Sequence, residues 1–253
     1  MTDLHLTPGA ERIIGMDPLE RFLTSLRHAS RHHPDAERLV ITGDLTHYGD
    51  AESYQKLGDA VADCPWPISF LLGNHDKRAA FRTAFPTCPV DQNGFVQSVI
   101  DLGTLALLTL DTLDEEGVVT THGGYLCQYR LDWLTKELER LNGKPCLLFL
   151  HHPPFRTGFS GMDAIRLLND DAFLKRVSGS SVTHIFAGHI HRNITSSVAD
   201  IPVTVFKSTF HQMPMLLGKD GSHHSVDEPS AYGIILVTDG SVVVHFEDVL
   251  EAT

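Results

Sequence analysis

The sequence is poor in cysteine and has no long apolar run. Its four cysteines lie apart, without CxxC spacing, in a chain of 253 residues that is far larger than the small secreted proteins held together by disulfides. No stretch approaches the roughly 20 consecutive apolar residues that a membrane-spanning helix needs. We therefore expect reduced thiols, no insertion into a membrane and one globular domain over residues 1–253.

Basic residues are also scarce. Lysine and arginine number 20 against 32 aspartates and glutamates, which gives a formal net charge of -12. Proteins that bind nucleic acid polymers usually carry a basic stripe that neutralises several phosphates, so we expect no such partner. We also expect no secretory signal, because the chain start has polar residues, Thr2, Asp3 and His5, and lacks a basic segment followed by an apolar one. These features predict a cytoplasmic location.

Helical patterns alternate with short apolar runs along most of the chain. The helix-then-strand pairs are residues 19–28 and 38–42, 51–63 and 68–72, 131–141 and 146–150, and 170–177 and 182–187. This alternation is typical of an α/β fold, whereas residues 95–109 and 203–249 are rich in strands and turns and predict antiparallel partners. We predict a sandwich of two sheets with helices outside, and expect the loop 218–229 to be the most mobile segment.

Histidine is the residue type in excess, and six of the 16 histidines lie in five polar clusters. The clusters stand at the chain start or directly after the predicted strands: Asp3-Leu4-His5, Gly43-Asp44, Gly73-Asn74-His75-Asp76, His151-His152 and Gly188-His189-Ile190-His191. Parallel strands bring their carboxyl ends to one edge of a sheet, so clusters that are distant in sequence are expected to meet in space.

Seven side chains in these clusters form a ligand set for transition metals. They are Asp3, His5, Asp44, Asn74, His151, His189 and His191. Three carboxylate or amide oxygens and four imidazoles suit Mn, Fe, Zn or Co better than Ca or Mg. Seven ligands are enough for two divalent ions if one carboxylate bridges them. Each ion then keeps an open position for water and a substrate oxygen, as two-metal hydrolysis requires.

In this order the clusters resemble the motifs of the calcineurin-like metallophosphoesterase family. The resemblance covers about residues 3–211 and includes Asp-x-His, Gly-Asp, Gly-Asn-His-Asp, His-His-Pro-Pro and Gly-His-x-His. Met162-Asp163 and His211-Gln212-Met213-Pro214 are similar to the branch of class III cyclic nucleotide phosphodiesterases and bacterial glycerophosphodiesterases. The fold implied is a four-layer α/β/β/α sandwich of two mixed sheets flanked by helices, with C-terminal strands, about 203–249, in the second sheet.

The resemblance also implies an assignment of the ligands. Asp3, His5, Asp44 and His191 would hold one metal, and Asp44, Asn74, His151 and His189 the second, with Asp44 as the bridge. Two divalent ions lower the pKa of a shared water from about 15.7 towards roughly 7, and the resulting hydroxide would attack the phosphorus of a phosphodiester in line.

The chain start departs from the family pattern, because only two residues precede Asp3. We therefore expect a shortened first strand. If the natural chain starts at Met1, the metal held through Asp3 and His5 should bind more weakly. Whether the natural chain starts upstream of Met1 is left open.

Other residues receive roles beside the metals. We predict that His75 donates a proton or stabilises an oxyanion, and that Asp76 orients its imidazole. Alternatively, Asp76 caps the following helix. His152 is expected to face away and orient its loop. The candidate substrate-pocket residues are His211, Arg78, Met162 and Asp163. The histidines expected at the surface or within the sheet are His47, His122, His184 and His245.

Three functions fit these residues. The leading prediction is a phosphodiesterase that hydrolyses a small soluble phosphodiester, such as a cyclic nucleotide or a glycerophosphodiester. A phosphomonoesterase or a promiscuous phosphoesterase would use the same metals, and inhibition by free phosphate would separate it from the first. A catalytically silent scaffold should lack some ligands, whereas all seven are present. The resemblance further suggests a homo-oligomer.

Overall fold

The computed structural model describes residues 1–218 and 224–250, so the loop 218–229, which we expected to be mobile, lies partly outside the described residues. The elements are α1 (Pro18–His32), β1 (Leu39–Thr42), α2 (Ala51–Val61), β2 (Ile68–Leu71), α3 (Arg78–Ala84), β3 (Ser98–Asp101), β4 (Ala106–Thr109), α4 (Gln128–Leu141), β5 (Cys146–Phe149), α5 (Ser160–Asp163), α6 (Asp170–Val177), β6 (Val182–Ala187), β7 (Ile194–Val198), β8 (Ile201–Val205), β9 (Ser230–Thr238) and β10 (Ser241–Val249). The four predicted helix-then-strand pairs are confirmed. No helix in the described residues is long and apolar enough to cross a membrane.

Six strands form the larger sheet, in the order β3-β4-β5-β6-β8-β7. The inner strands β4, β5, β6 and β8 run parallel, and β3 and β7 are antiparallel strands at the two edges. All four residues of β4 and all four of β5 are buried. Such continuous apolar strands are expected where other layers cover both faces of a parallel sheet.

The alternation of side chains along β5 divides the interior into two cores. Cys146 and Leu148 pack in the core that includes residues of α4 and α6, whereas Leu147 and Phe149 point to the opposite face. There they share a core with Val40 of β1 and Ile235 of β9. Truncating a side chain like Phe149 in such a core costs about 3–5 kcal/mol. A sheet with helices on one face and a second strand layer on the other is the arrangement predicted.

The second strand layer is assembled from short pieces. β1 and β2 pair in parallel, and β9 and β10 form an antiparallel pair. The chain start and residues 208–209 lie between them. Thr42 N–H of β1 donates to the Met1 carbonyl at 3.1 Å, Thr209 N–H donates to the Thr2 carbonyl at 3.0 Å, and Ala231 N–H of β9 donates to the Ser208 carbonyl at 3.1 Å. The three helices α1, α2 and α3 cover the outer face of this layer, and their largest buried side chains are Phe22, Tyr54 and Phe81. The four-layer α/β/β/α sandwich is therefore confirmed.

The C-terminal strands are divided between the two layers. β8 pairs in parallel with β6 in the six-stranded sheet, and β9 and β10 belong to the second layer. The prediction that the strands from about 203 onwards share the second sheet is therefore wrong for β8. The reason is its packing: Val203 and Val205 are buried in the same core as α4 and α6.

His184 on β6 is a titratable residue whose pKa is changed by burial between the layers. Its ring stacks on Phe186 with centroids 4.3 Å apart, and its Nε2 lies 2.9 Å from Thr204 Oγ1. Burial lowers the pKa of His184 from 6.5 to about 4. Between these two pH values the unfolded chain binds a proton at this residue and the folded chain does not. His184 therefore lowers the free energy of unfolding as the pH falls through this window.

We expect the variant His184→Gln to lose less stability on acidification than the wild-type protein, because glutamine has no proton to gain. The measurement is the free energy of unfolding in urea, with a chelator present, at about pH 7 and about pH 4.5. Equal losses in the two proteins would contradict this role of His184.

Candidate metal centre

The structure brings all seven predicted ligands to one edge of the sandwich. Asp44 follows β1, Asn74 follows β2, His151 follows β5, and His189 and His191 follow β6. Asp3 and His5 reach the same edge because the chain start runs beside the end of β1, where Asp3 N–H donates to the Gly43 carbonyl. Six of the seven are buried and Asn74 is half-buried.

The backbone at these residues is strained. Among the described residues, eleven non-glycine residues have a positive φ, and five of them are predicted ligands: Asp3, His5, Asp44, His189 and His191. A left-handed conformation costs a non-glycine residue roughly 1–2 kcal/mol. Strain of this kind concentrates at functional sites, where the surrounding structure imposes it. The clustering of strained residues at the strand ends thus supports a functional role for this edge.

The first predicted ligand group is compact. One ligand atom from each of Asp3, His5, Asp44 and His191 lies within 4.8 Å of the others. His191 Nε2 is 3.4 Å from Asp3 Oδ1 and 3.2 Å from His5 Nε2, and His5 Nε2 is 3.6 Å from Asp44 Oδ2. His191 Nδ1 donates to the His211 carbonyl at 2.8 Å, which directs Nε2 into the group.

The second predicted group meets the first at Asp44. His151 Nε2 lies 3.5 Å from Asp44 Oδ2 and 3.2 Å from Asn74 Oδ1. Its Nδ1 donates to the Thr42 carbonyl at 2.8 Å, so this imidazole is also oriented by a backbone carbonyl. The His189 ring lies beside it, with centroids 5.1 Å apart, and His189 Nε2 is buried without a hydrogen-bond partner among the described residues.

This arrangement fits metal ions. His5 and His191 aim Nε2 atoms at each other across 3.2 Å, so a proton or a cation is needed between their lone pairs. Burial holds the pKa of His5 well below 6.5, which favours the neutral imidazole that binds metals. For Asp44, burial alone would raise the pKa, but the neighbouring imidazoles, His151 first, outweigh it and hold the pKa well below its usual range. Burial alone would lower the pKa of His151, but the charge of Asp44 outweighs it and raises the pKa to about 9, and Asp3 likewise raises the pKa of His191. A metal ion would displace these protons, and imidazoles beside ionised carboxylates are then a transition-metal donor set.

His75 lies next to this set without joining it. Its backbone N–H donates to Asp44 Oδ1 at 2.9 Å, and its ring Nδ1 donates to the His47 carbonyl at 2.9 Å. Because Nδ1 carries a proton in that bond, Nε2 carries one only when the ring is an imidazolium. In that form His75 can donate from Nε2 to a phosphate or leaving-group oxygen.

Asp76 does not orient His75, which corrects the prediction of a catalytic role. Its buried carboxylate accepts from the N–H groups of Leu45 and Gly73, at 3.0 Å each, and from the Tyr54 hydroxyl at 2.9 Å. Burial, together with the charge of Asp44, raises its pKa to about 6. Asp76 thus joins the Asp44 and Asn74 loops. It does not cap α3 either, and Lys77, the residue directly before this helix, makes no side-chain capping hydrogen bond.

Of the four candidate pocket residues, His211 lies at the site. Its ring centroid is 4.5 Å from that of His191 and 5.5 Å from that of His5, and its Nδ1 has no partner among the described residues. His211 is half-buried at the rim of the first ligand group, a position from which it can face a substrate.

The other three candidates make their contacts with residues outside the ligand set, and their place in the pocket stays a prediction. Arg78 is paired with the buried Asp111, with Nε to Oδ2 at 2.8 Å and Nη2 to Oδ1 at 2.9 Å. Asp163 accepts from the Thr157 hydroxyl at 2.9 Å and so closes its own loop. Met162 packs against the core that includes α4 and α6. Each satisfies a local packing or hydrogen-bonding need that the motifs do not reveal.

Two histidines at the site were missed. His47 and His122 were expected at the surface or in the sheet, yet both stack on His75, with centroids 4.9 Å and 5.2 Å away. His47 follows Asp44 by three residues in the same loop, which could have indicated its position, whereas nothing in the sequence marks His122. His152 does not face away from the ligands, which corrects that prediction: its ring centroid is 4.7 Å from that of His189, and one ring nitrogen of His152 lies within 4.8 Å of ring nitrogens of His151 and His189. Its Nδ1 lies 2.8 Å from Thr112 Oγ1.

Comparison with known proteins agrees with this geometry. The family model described as calcineurin-like phosphoesterase matches residues 1–193. A probable cyclic nucleotide phosphodiesterase of Rhodopseudomonas palustris is 38% identical over 97% of this chain and 89% of its own. A probable glycerophosphodiester phosphodiesterase of Arcobacter nitrofigilis is 30% identical over 80% of this chain and 74% of its own. In fold, a dimetal phosphatase from Danio rerio superposes with a TM-score of 0.73 at 13% identity, covering 99% of this chain and 95% of that one.

Gly73 offers a test of how tightly the site is packed. A Cβ at this position would collide with Asp44 Oδ1 and lie 2.7 Å from His151 Cε1. We expect Gly73→Ala to displace both side chains and lower the number of bound metal ions, as measured by elemental analysis after metal loading.

The matched control is Gly58→Ala in α2, where the added Cβ comes no closer than 4.0 Å to Phe85. This variant should keep its metals and be slightly more stable, since alanine is favoured over glycine in a helix by about 1 kcal/mol. Full metal content in Gly73→Ala would contradict the packing described.

Proposed function

Because the chain belongs to the calcineurin-like phosphoesterase family, we propose that it is a dinuclear metal-dependent phosphodiesterase acting on small soluble phosphodiesters. The observation that carries the proposal is the position of Asp44. Its Oδ2 lies 3.6 Å from Nε2 of His5 in the first ligand group and 3.5 Å from Nε2 of His151 in the second. A carboxylate between two sets of ligands is what a bridged pair of metal ions requires.

We assign the seven candidate ligands to two metal ions. Asp3, His5, Asp44 and His191 would hold one, and Asp44, Asn74, His151 and His189 the other. Mn, Fe, Zn and Co all suit this mixture of imidazole and oxygen ligands. When bound, two such ions acidify a water molecule and neutralise negative charge on the phosphate.

The protein's own part is to orient these groups and to move a proton. The carbonyls of Thr42 and His211 fix the rings of His151 and His191 with Nε2 inward. The imidazolium form of His75, held by the His47 carbonyl, donates from Nε2 to the oxygen that leaves phosphorus. A diester leaving group is an alkoxide that needs this proton.

The preference for diesters is supported by the relatives. Two proteins that match most of this chain are named as probable phosphodiesterases, one for cyclic nucleotides and one for glycerophosphodiesters. Phosphomonoesterase activity is the alternative, because the ligand set alone does not distinguish the two ester types. A silent scaffold is disfavoured because all seven ligands lie at one edge.

The remaining properties follow from the surface and composition. A net charge of -12 disfavours a nucleic acid polymer as substrate. We propose a homo-oligomer, since Leu236, Val243 and Phe246 expose apolar surface on β9 and β10. A cytoplasmic location belongs to the same proposal and is supported by the four cysteines, which are all free thiols.

The test of the proposed function is hydrolysis of bis(p-nitrophenyl) phosphate beside p-nitrophenyl phosphate by metal-stripped protein reconstituted with Mn. We expect kcat/KM for the diester to exceed that for the monoester by about tenfold or more, a difference of ~1.4 kcal/mol between the transition states. A preference for the monoester, with inhibition by free phosphate, would replace the proposal with a phosphatase.

The role of His75 has its own test. His75→Ala should keep both metal ions and lose kcat by roughly 100- to 10,000-fold, because the proton donor is missing while the ligands remain. Asp44→Ala, the comparison variant, should lose metal and activity together. Metal content by elemental analysis and kcat on the diester are measured for each variant. Loss of metal in His75→Ala would contradict the role of His75 as a proton donor that does not bind metal.

A further inference from the structure

The orientation of the Asn74 side chain decides whether it can serve a metal. An asparagine amide has an oxygen that can bind a cation and an NH2 group that cannot, and only hydrogen bonds decide which of them faces the site. Asn74 Oδ1 lies 3.2 Å from His151 Nε2, on the side of the second ligand group. The opposite end of the amide therefore needs an acceptor.

His122 supplies that acceptor. Its Nδ1 lies 3.0 Å from Asn74 Nδ2, and because Nδ2 is a donor, the neutral ring accepts through Nδ1. With the ring proton on Nε2, a flipped amide would set Oδ1 against the lone pair of Nδ1 and aim its NH2 group at His151. The contact with His122 thus favours the one orientation in which Oδ1 is free for a metal.

The loop that carries His122 is attached to the core directly after it. Gly124 N–H donates to the Arg166 carbonyl at 3.0 Å, and Leu168 N–H donates to the Gly124 carbonyl at 2.9 Å. Gly124 has no space for a side chain, since a Cβ there would lie 2.7 Å from Nδ1 of His152. His122 itself is in the left-handed region, with φ at 68°. These contacts hold its ring where it meets Asn74.

The same ring also packs on the proposed proton donor. His122 and His75 stack with centroids 5.2 Å apart and planes at 30°, and His47 stacks on His75 with centroids 4.9 Å apart. His122 is exposed on its outer side, at the entrance to the second ligand group. It therefore contacts one predicted ligand and one predicted proton donor without belonging to either group.

We propose that His122 is a positioning residue that fixes the amide of Asn74 with Oδ1 towards the second metal. This inference rests on the proposed function, because it requires that Asn74 is a metal ligand. Losing the partner that orients a ligand typically weakens metal binding by about 10- to 100-fold.

The experiment compares two substitutions of His122 that separate the effect of its hydrogen-bond acceptor from the effect of its ring packing. His122→Phe keeps an aromatic ring to pack on His75 but removes the acceptor. His122→Asn loses the ring but offers Oδ1 as an acceptor, and asparagine tolerates a positive φ better than phenylalanine does. Mn binding to the metal-stripped proteins is measured by equilibrium dialysis, and the site that disappears in Asn74→Ala identifies the metal that Asn74 holds.

We expect His122→Phe to weaken binding at that site by about 10- to 100-fold and to leave the other site within about twofold. His122→Asn should restore most of the lost affinity. In the Asn74→Ala background, His122→Phe should cause no further change in binding at the remaining site, since the two residues act as one unit. Thermal unfolding of the stripped variants shows whether the strained backbone at position 122 has lowered stability.

Two results would overturn the inference. In one, His122→Phe binds Mn at both sites as the wild type does. In the other, His122→Phe weakens both sites equally, or weakens the remaining site of Asn74→Ala. Failure of the proposed function gives a different pattern, in which the wild-type protein itself binds no second metal or Asn74→Ala binds both.

Discussion

The carboxylate of Asp44 is the group around which the site is built. It is buried between His5 and His151, and it also accepts the backbone N–H of His75 at 2.9 Å. A buried carboxylate without a cation costs several kcal/mol, so its surroundings must supply positive charge. Two ligand groups that share this one carboxylate would meet that requirement with metal ions, and hydrogen bonds from the neighbouring loops hold the carboxylate in place. Asp76 is the clearest case, because it joins the Asp44 loop to the Asn74 loop through buried hydrogen bonds.

The fold supplies the second constraint. Parallel strands end at one edge, so the loops after β1, β2, β5 and β6 deliver their polar residues to one place. The left-handed backbone at five of the ligands shows that the chain bends sharply there. The cores on both faces of the six-stranded sheet offset the cost of this strain. The packed cores on the sheet faces therefore stabilise the fold, and the strand ends carry the candidate metal ligands.

Sequence patterns predict the layers, and the meeting of the seven candidate ligands at one edge, because both follow simple rules. Apolar runs gave the strands, and a polar cluster after each strand indicated Asp44, Asn74, His151, His189 and His191. Sequence patterns do not reveal the position of a side chain when that position depends on how the loops fold back onto the sheet. Asp76 adjoins His75 in the chain but turns away to bind backbone N–H groups, and Arg78 is held by Asp111, which is distant in sequence. His122 lies far from every motif, and only tertiary structure places it beside Asn74.

The most direct test of a shared Asp44 is anomalous scattering from crystals of the Mn-loaded protein. We expect two metal peaks, both within about 2.0–2.2 Å of a carboxylate oxygen of Asp44, the range of metal–carboxylate bonds. One peak should contact Asp3, His5 and His191, and the other Asn74, His151 and His189. A single peak, or a second peak bound to His152 without contact to Asp44, would contradict the account.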